Sequence, residues 1–467
     1  MSPAGGKGRP AGGEAGPAGG ELGTALSYWP SSEALERRAA LRDLLRRRHD
    51  PATVRPAVLG DEPYDPDLWR RLTADMGVAA ILAPEALDGL GLGYEDFALA
   101  VGELGRVLYT GPFFGSAVLA LGALLPLVAA GAAGGAAAGG AGGAPGSGHD
   151  RGDFSAPPTE NSPRSSGAAA GDARLAGDAA SAAVDLARRV LGGDTVAALA
   201  FANAGGRWAP GEATVTARET SDGWQLAGRR HLVVNAPQAE VFCVPATIGR
   251  DGGPGSPDLG SGSGADGDSG SGPDLGLFAV RAGDVEVTAV DSIDPTRSLG
   301  TVTLDQAPAD LLARGEKTGQ AVEAALRLGR LAIAAEAAAG AQEALRLMVD
   351  YAQSRRQFGR PIGGFQAVKH KCAEALIAIE AAKAAVSYAA WALDDGSAEA
   401  DLAILAAKMA STEAFVATAA DCIQLHGTYG YTREAASQSY FRRARWLSLF
   451  LGSADEDGQR LADLLGV

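Results

Sequence analysis

The chain has 467 residues, more than a single hydrophobic core normally serves, so two or three domains are expected. Its 41 Lys and Arg stand against 56 Asp and Glu, and the resulting net charge of −15 argues against broad binding to a nucleic-acid backbone. The three cysteines, Cys243, Cys372 and Cys422, are odd in number and far apart, and neither they nor the five histidines show ligand spacing. A disulfide framework and a metal site are therefore not expected, and a reducing, cytoplasmic setting is.

Residues 1–24 lack the apolar stretch of a signal peptide and read as a disordered leader. The stretch FFGSAVLALGALLPLVAAGAAGG from Phe113 is long and uncharged, but Pro126, the Ala/Gly content and the missing cationic flank argue against a membrane span. Apolar residues at three- and four-residue spacing predict an N-terminal helical domain over 25–196, with a Gly/Ala/Pro/Ser-rich insertion at 129–172. Short β-branched runs punctuated by Gly and Asp predict a small antiparallel β domain over 197–313, carrying a Gly/Asp/Ser-rich insertion at 251–276. From 314 to 467 the helical pattern returns, broken near Gly359, Gly396, Gly427 and Gly452. That spacing predicts a C-terminal four-helix bundle, with Ser397 as the N-cap of its third helix. The fold class is mainly α with a central β domain.

One break is chemically dense. YAQSRRQFGRPIGGFQAVKHKCAEAL (351–376), together with PEALDGLGL, DGWQLAGRRHLVVNAPQAEVF and IQLHGTYGYT, resembles the acyl-CoA dehydrogenase family over essentially the whole chain outside the leader and the insertions. The resemblance implies FAD held between helical and β domains, an acyl-CoA thioester substrate, a hydride passing from its β-carbon to the flavin, and a carboxylate base for its α-proton. It also implies an oligomer, homomeric or heteromeric with a second subunit of the family, because such flavins are shared across a dimer. Arg355 would then contact the neighbour's pyrophosphate, Gln357 would add a hydrogen bond and Phe358 an apolar wall, in a turn that Gly359 and Pro361 permit. Gln366 completes this motif, Gln424 and Gly427 match the second cross-subunit element, and Ser453 survives among the hydroxyls that face the flavin ring.

The departures are equally specific. Leu451 stands where most of the family carries its catalytic glutamate, and Gly329 stands at the alternative position on the first bundle helix, so no catalytic residue is assigned with assurance. Glu336 is a weak substitute, on nearly the same helix face but about 10 Å further along the axis. Asp455 is a second acid near the loop, with an exposed acid as its plainer reading. The ring-facing Thr/Ser phrases have become FANAGGRWAPGEATV and HLVVNA, and Arg443 replaces an aspartate. What a subunit offers its neighbour is retained, and what it needs for its own proton transfer is lost. The expectation is α,β-desaturation of an acyl-CoA with this chain as the divergent subunit of a heteromer. Alternatives are a homomeric enzyme with a relocated base, a non-catalytic structural or acyl-CoA-binding subunit, and a flavin oxidase or monooxygenase.

Overall fold

The computed structural model describes residues 30–49, 64–138, 166–210, 212, 214–249, 273–432 and 434–467. The predicted leader, residues 139–165 of the first predicted insertion and residues 251–272 of the second lie outside the described residues.

The N-terminal third is helical. Helix α1 (Ser32–Arg48) starts where the Ser31 hydroxyl accepts the Ala34 N–H, and α2 (Pro66–Arg70) starts at Asp65, whose carboxylate accepts the N–H groups of Asp67 and Leu68. Helix α3 (Tyr94–Arg106) packs on α1 through Glu103, which is buried and hydrogen-bonded to Arg38 and Arg42. A π-helical segment, Phe113–Ala120, runs straight into α4 (Leu121–Ala138), and α5 spans Ser166–Leu191. Both helices extend into the predicted 129–172 insertion, because alanine, its commonest residue, is the best helix former.

Seven strands follow: β1 (Ala197–Leu199), β2 (Val215–Thr220), β3 (Gly223–Val234), β4 (Val241–Ile248), β5 (Leu275–Arg281), β6 (Glu286–Val290) and β7 (Leu299–Arg314). The order β4-β2-β3-β7-β5 closes on itself because β5 also pairs with β4, Val241 opposite Arg281 through Thr247 opposite Leu275. The sheet is thus a small barrel, in which β1 pairs with the first half of β4 along the same edge as β2, and β6 pairs with β7. It is not purely antiparallel, since β1 and β2 both run parallel to β4. Strand alternation fills the interior with Val215, Ala217, Leu226, Phe242, Phe278 and Val302. Strand β5 begins at Leu275, inside the end of the predicted second insertion.

The C-terminal part is the expected bundle: α6 (Glu316–Ser354), α7 (Gln366–Asp394), α8 (Ala400–His426) and the shorter α9 (Ala436–Leu447), followed by α10 (Ala454–Leu465). Helix α8 starts three residues after the predicted cap, because the Ser397 hydroxyl is taken by the Glu399 N–H in a preceding turn. Helices α6 and α8 approach closely at Gly340, where a Cβ would lie 2.5 Å from the Phe415 ring. The segments Gln366–Asp394 and Ala400–Tyr431 have the length and hydropathy of membrane spans, and both pack in the bundle. Asp394, at the end of α7, accepts the Tyr94 N–H at 2.8 Å and the Glu95 N–H at 3.3 Å, capping α3 from 300 residues away.

Candidate functional site

Two regions carry the sequence-predicted residues. The first lies at one end of the bundle. Tyr351, near the end of α6, stacks on His426, the last residue of α8, with ring centroids 4.2 Å apart, and its hydroxyl donates to the His426 carbonyl at 3.5 Å. That contact places the turn after α6 beside the turn after α8. After α6 the chain forms a tight hairpin, β8 (Arg356–Gln357) with β9 (Arg360–Pro361). Its two central residues, Phe358 at φ 49 and Gly359 at φ 78, are both left-handed, as a two-residue hairpin turn requires. Arg356 donates to the Gly359 carbonyl at 3.2 Å, and Arg360 lies 4.0 Å over the Phe365 ring, which stiffens the hairpin from within.

Phe358 is 89% exposed at its tip. Arg355, Gln357, Gln366, Gln424 and Gly427 are exposed as well, and the Arg355 and Gln357 side chains have no hydrogen-bond partner among the described residues. Gly427 turns the chain at φ 62 and donates its N–H to the Gln424 carbonyl. The structure therefore gathers these residues at one outward-facing end. The sequence reading missed Tyr429 and Tyr431, which are exposed on the same turn, although the GTYGY phrase displays them.

The second region is internal. Leu451 has φ 60 and is almost buried. Gly329 faces it from α6: a Cβ there would lie 2.6 Å from Leu451 Cδ1 and 3.0 Å from Leu119 Cδ2. The two positions at which the resemblance places alternative bases thus meet at one point, filled here by an aliphatic side chain. Neither Leu451 nor Gly329 has a side chain that can accept a proton.

Glu336 offers no substitute. Both its oxygens are taken, one by Arg297 and one by Arg443, and Arg443 also binds Asp294 and Thr296 in a buried quartet of two cations and two anions. Arg443 is therefore balanced by two carboxylates, which hold its guanidinium above the usual arginine value despite burial. Burial, with the Arg443 charge, pulls Arg297 down to about 10. Its guanidinium lies 4.8 Å from the Phe114 ring and 5.4 Å from the Trp446 ring. Trp446 in turn stacks on Phe450 at 4.5 Å, so the quartet props the segment leading into Leu451. Ser453 is engaged locally as well: its hydroxyl and N–H form a capping box with Glu456, which also pairs with Arg207. Asp455 is exposed.

Behind the same turn, Lys408 of α8 is buried and donates to the Gly452 carbonyl and to Asp457. Burial pulls its ammonium below the ordinary lysine value. The sequence carries a signal for it: a lone lysine in the apolar run LAILAAKMA has to be either solvated or paired. A groove of about 650 Å³ runs between α6, α8 and α10, with Arg327, Arg330 and Arg460 in its wall. Arg330 Nε has no hydrogen-bond partner among the described residues, and burial, with Arg460 nearby, holds this guanidinium below its usual value.

Residues 318–462 match the acyl-CoA dehydrogenase C-terminal domain and residues 31–133 match the acyl-CoA dehydrogenase N-terminal domain. The chain belongs to the acyl-CoA dehydrogenase family. A curated relative, acyl-CoA dehydrogenase IpdE2 of Mycobacterium tuberculosis, is 28% identical over 432 residues, 92% of this chain and 97% of that protein. Among solved structures, the Tcur3481-Tcur3483 steroid ACAD G363A variant superposes with a TM-score of 0.68 at 25% identity, covering 93% of this chain and 98% of that one. The ChsE4-ChsE5 complex from M. tuberculosis superposes at 0.69 and 24% identity, covering 94% and 99%.

Acyl-CoA dehydrogenases depend on FAD, and the two regions fit that cofactor unequally. The outward turn presents an unpaired cation, an amide and an exposed ring, the chemistry of a pyrophosphate and adenosine contact. In the internal region the Leu451 side chain meets Gly329, and Val233 and Val234 stand in the phrase where the resemblance expects hydroxyls, so these side chains offer a flavin ring apolar contact alone.

Proposed function

We propose that this chain is the base-less subunit of a heteromeric, FAD-dependent acyl-CoA dehydrogenase. Its hairpin at Arg355, Gln357 and Phe358, with Gln366, Gln424 and Gly427, grips the nucleotide part of the FAD of a base-bearing partner subunit. FAD, when bound, accepts the hydride from the β-carbon of the acyl thioester. This chain's contribution is to bind and orient: Arg355 meets phosphate charge, Gln357 adds a hydrogen bond, and Phe358 keeps water from the adenosine. The observation that carries this reading is the contact of Leu451 with Gly329, which fills both base positions of this chain while the outward grip stays exposed and unpaired. The two-component ChsE4-ChsE5 complex among its structural relatives supports a heteromer, and the steroid ACAD supports a bulky polycyclic acyl group.

The test is co-expression of this chain with an acyl-CoA dehydrogenase encoded beside it, followed by an absorbance spectrum of the purified assembly. Arg355→Ala removes one charge-assisted contact of about 1.5–3 kcal/mol, so FAD affinity of the assembly should fall about 10- to 150-fold while the assembly persists. Stoichiometric FAD and acyl-CoA oxidation by this chain alone would overturn the reading.

A further inference from the structure

A second cleft lies where α1 and α3 of the leading domain meet α6 and α7 of the bundle, and none of Leu119, Gly329 and Leu451 lines it. Its volume is about 760 Å³, within the range of small-molecule sites. Small side chains pave it: Ala98 and Gly102 from α3, Ala335 and Ala338 from α6, Ala384 and Ala390 from α7. Leu35 of α1 stands at its edge, 45% exposed. Helices faced with alanine ordinarily close until their surfaces touch, because an empty apolar space forfeits dispersion contacts. Three polar contacts fix the spacing here instead. Glu103 ties α3 to Arg38 and Arg42 of α1, Arg106 reaches Glu343 of α6 at 3.4 Å, and Asp394 at the end of α7 accepts the Tyr94 and Glu95 N–H groups. The frame is set around the cleft and not by packing across it.

The polar groups of its wall are used unevenly. Each cation already has an acid, with Arg38 and Arg106 sharing Glu103 and Lys383 paired to Glu380 at 2.8 Å. The Glu95 carboxylate has no hydrogen-bond or ion-pair partner among the described residues, and neither do the Gln342 amide and the Ser387 hydroxyl. Burial, with Asp96 and Asp394 nearby, holds the Glu95 carboxyl above its ordinary value, as befits a carboxylate without a cation. An apolar floor, two idle hydrogen-bonding groups and an uncompensated acid on the wall are separate observations that describe one kind of occupant.

We propose that this cleft binds an amphiphile with an aliphatic or ring-bearing body and a primary ammonium head, the body lying on the alanine floor and the ammonium donating to Glu95. Gln342 and Ser387 meet a hydroxyl or keto group where the body carries one. The site stands apart from the FAD and heteromer readings. Because its occupant touches α1, α3, α6 and α7 together, it fastens the leading domain to the bundle, and a ligand that binds the folded state alone stabilises that state.

The probes are decylammonium, decanol and decanoate, which share one chain and differ in the head. Each is titrated below its micelle concentration into the full-length chain and followed by calorimetry and thermal unfolding. Decylammonium should bind once per chain and raise the melting temperature. A part-exposed ion pair changes an equilibrium by up to about fivefold, and reversing the charge of the head turns that gain into a loss, so decylammonium should bind about tenfold more tightly than decanoate. Glu95→Gln should narrow that ratio to about twofold, the remainder coming from the screened net charge of −15, and should leave decanol where it was. Ala338→Leu fills the floor and should abolish binding of all three. Should that variant fail to fold, Ala384→Leu decides, because Ala384 is exposed on α7. A preference for decylammonium that survives Glu95→Gln unchanged would belong to overall charge, and binding that survives the leucine variant would lie elsewhere on the chain; either result overturns the proposal. So does an unmodified chain that binds none of the three, or that binds decanoate as tightly as decylammonium.

Discussion

The contact between positions 329 and 451 can be measured as a coupling. Gly329→Ala puts a methyl 2.6 Å from Leu451 Cδ1 and 3.0 Å from Leu119 Cδ2, closer than carbon atoms tolerate. Overpacking of this kind costs about 1–3 kcal/mol, against which alanine gains about 1 kcal/mol over glycine in a helix, so the single variant should lose up to about 2 kcal/mol. Leu451→Ala opens a cavity at a nearly buried site and should cost about 2–5 kcal/mol. In the double variant the new methyl enters the space that the leucine vacates, so the closer clash disappears, the 3.0 Å contact with Leu119 Cδ2 is left to be relieved by a small shift, and the helix gain remains. The double variant should therefore be about 1–3 kcal/mol more stable than the sum of the singles. Urea unfolding of the four proteins followed by circular dichroism reads this out. Additivity within about 0.5 kcal/mol would show that the two positions do not touch, and the claim that one aliphatic side chain fills both base positions would fall with it. Leu451→Glu in the assembly extends the same cycle to function. With the flavin-ring side altered too, it should add little octanoyl-CoA-dependent dye reduction, and a hundredfold gain would mean that only the base was missing.

Glu336→Ala leaves the buried Arg297 and Arg443 with Asp294 as their one remaining carboxylate, so the loss should be about 3–5 kcal/mol in urea unfolding; a loss under about 1 kcal/mol would mean that the quartet is solvated. Burial pushes the Glu103 carboxyl up, but hydrogen bonds from Arg42 and Arg38 outweigh it and hold the group below the ordinary value. A depressed carboxyl contributes stability above its unfolded value of about 4.3 and loses it as pH falls through the folded value. Glu103→Gln should therefore lower the melting temperature at pH 7 and narrow its difference from the unmodified protein at pH 3; an equal deficit at both pH values would assign the loss to packing alone.

Most of the architecture was legible because periodicity and punctuation agree along the chain. The helical period from 314 onward and the breaks at Gly359, Gly396, Gly427 and Gly452 mark the bundle, and short β-branched runs mark the sheet. The parallel pairing of β1 and β2 with β4 was not legible, since it depends on which strands become neighbours after closure, which local pattern does not encode. Helix α4 runs on into the predicted 129–172 insertion because Ala/Gly-rich sequence satisfies both a linker and a helix. At the site, the gathering of Arg355, Gln357, Phe358 and Gln424 follows from motif order. The meeting of Leu451 with Gly329, and the pairing of Glu336 with Arg443, lie more than a hundred residues apart in sequence and exist only once the helices pack. Ser453, whose hydroxyl the resemblance assigns to the cofactor, also has a local partner in Glu456, three residues on.

The cap that Asp394 places on α3 constrains how the protein is made. The first N–H groups of that helix wait for a carboxylate translated 300 residues later. At about 5–20 residues per second, that is roughly 15–60 s on the ribosome. During that interval the leading domain carries an open helix terminus, so nascent-chain chaperones should engage it until the end of α7 emerges.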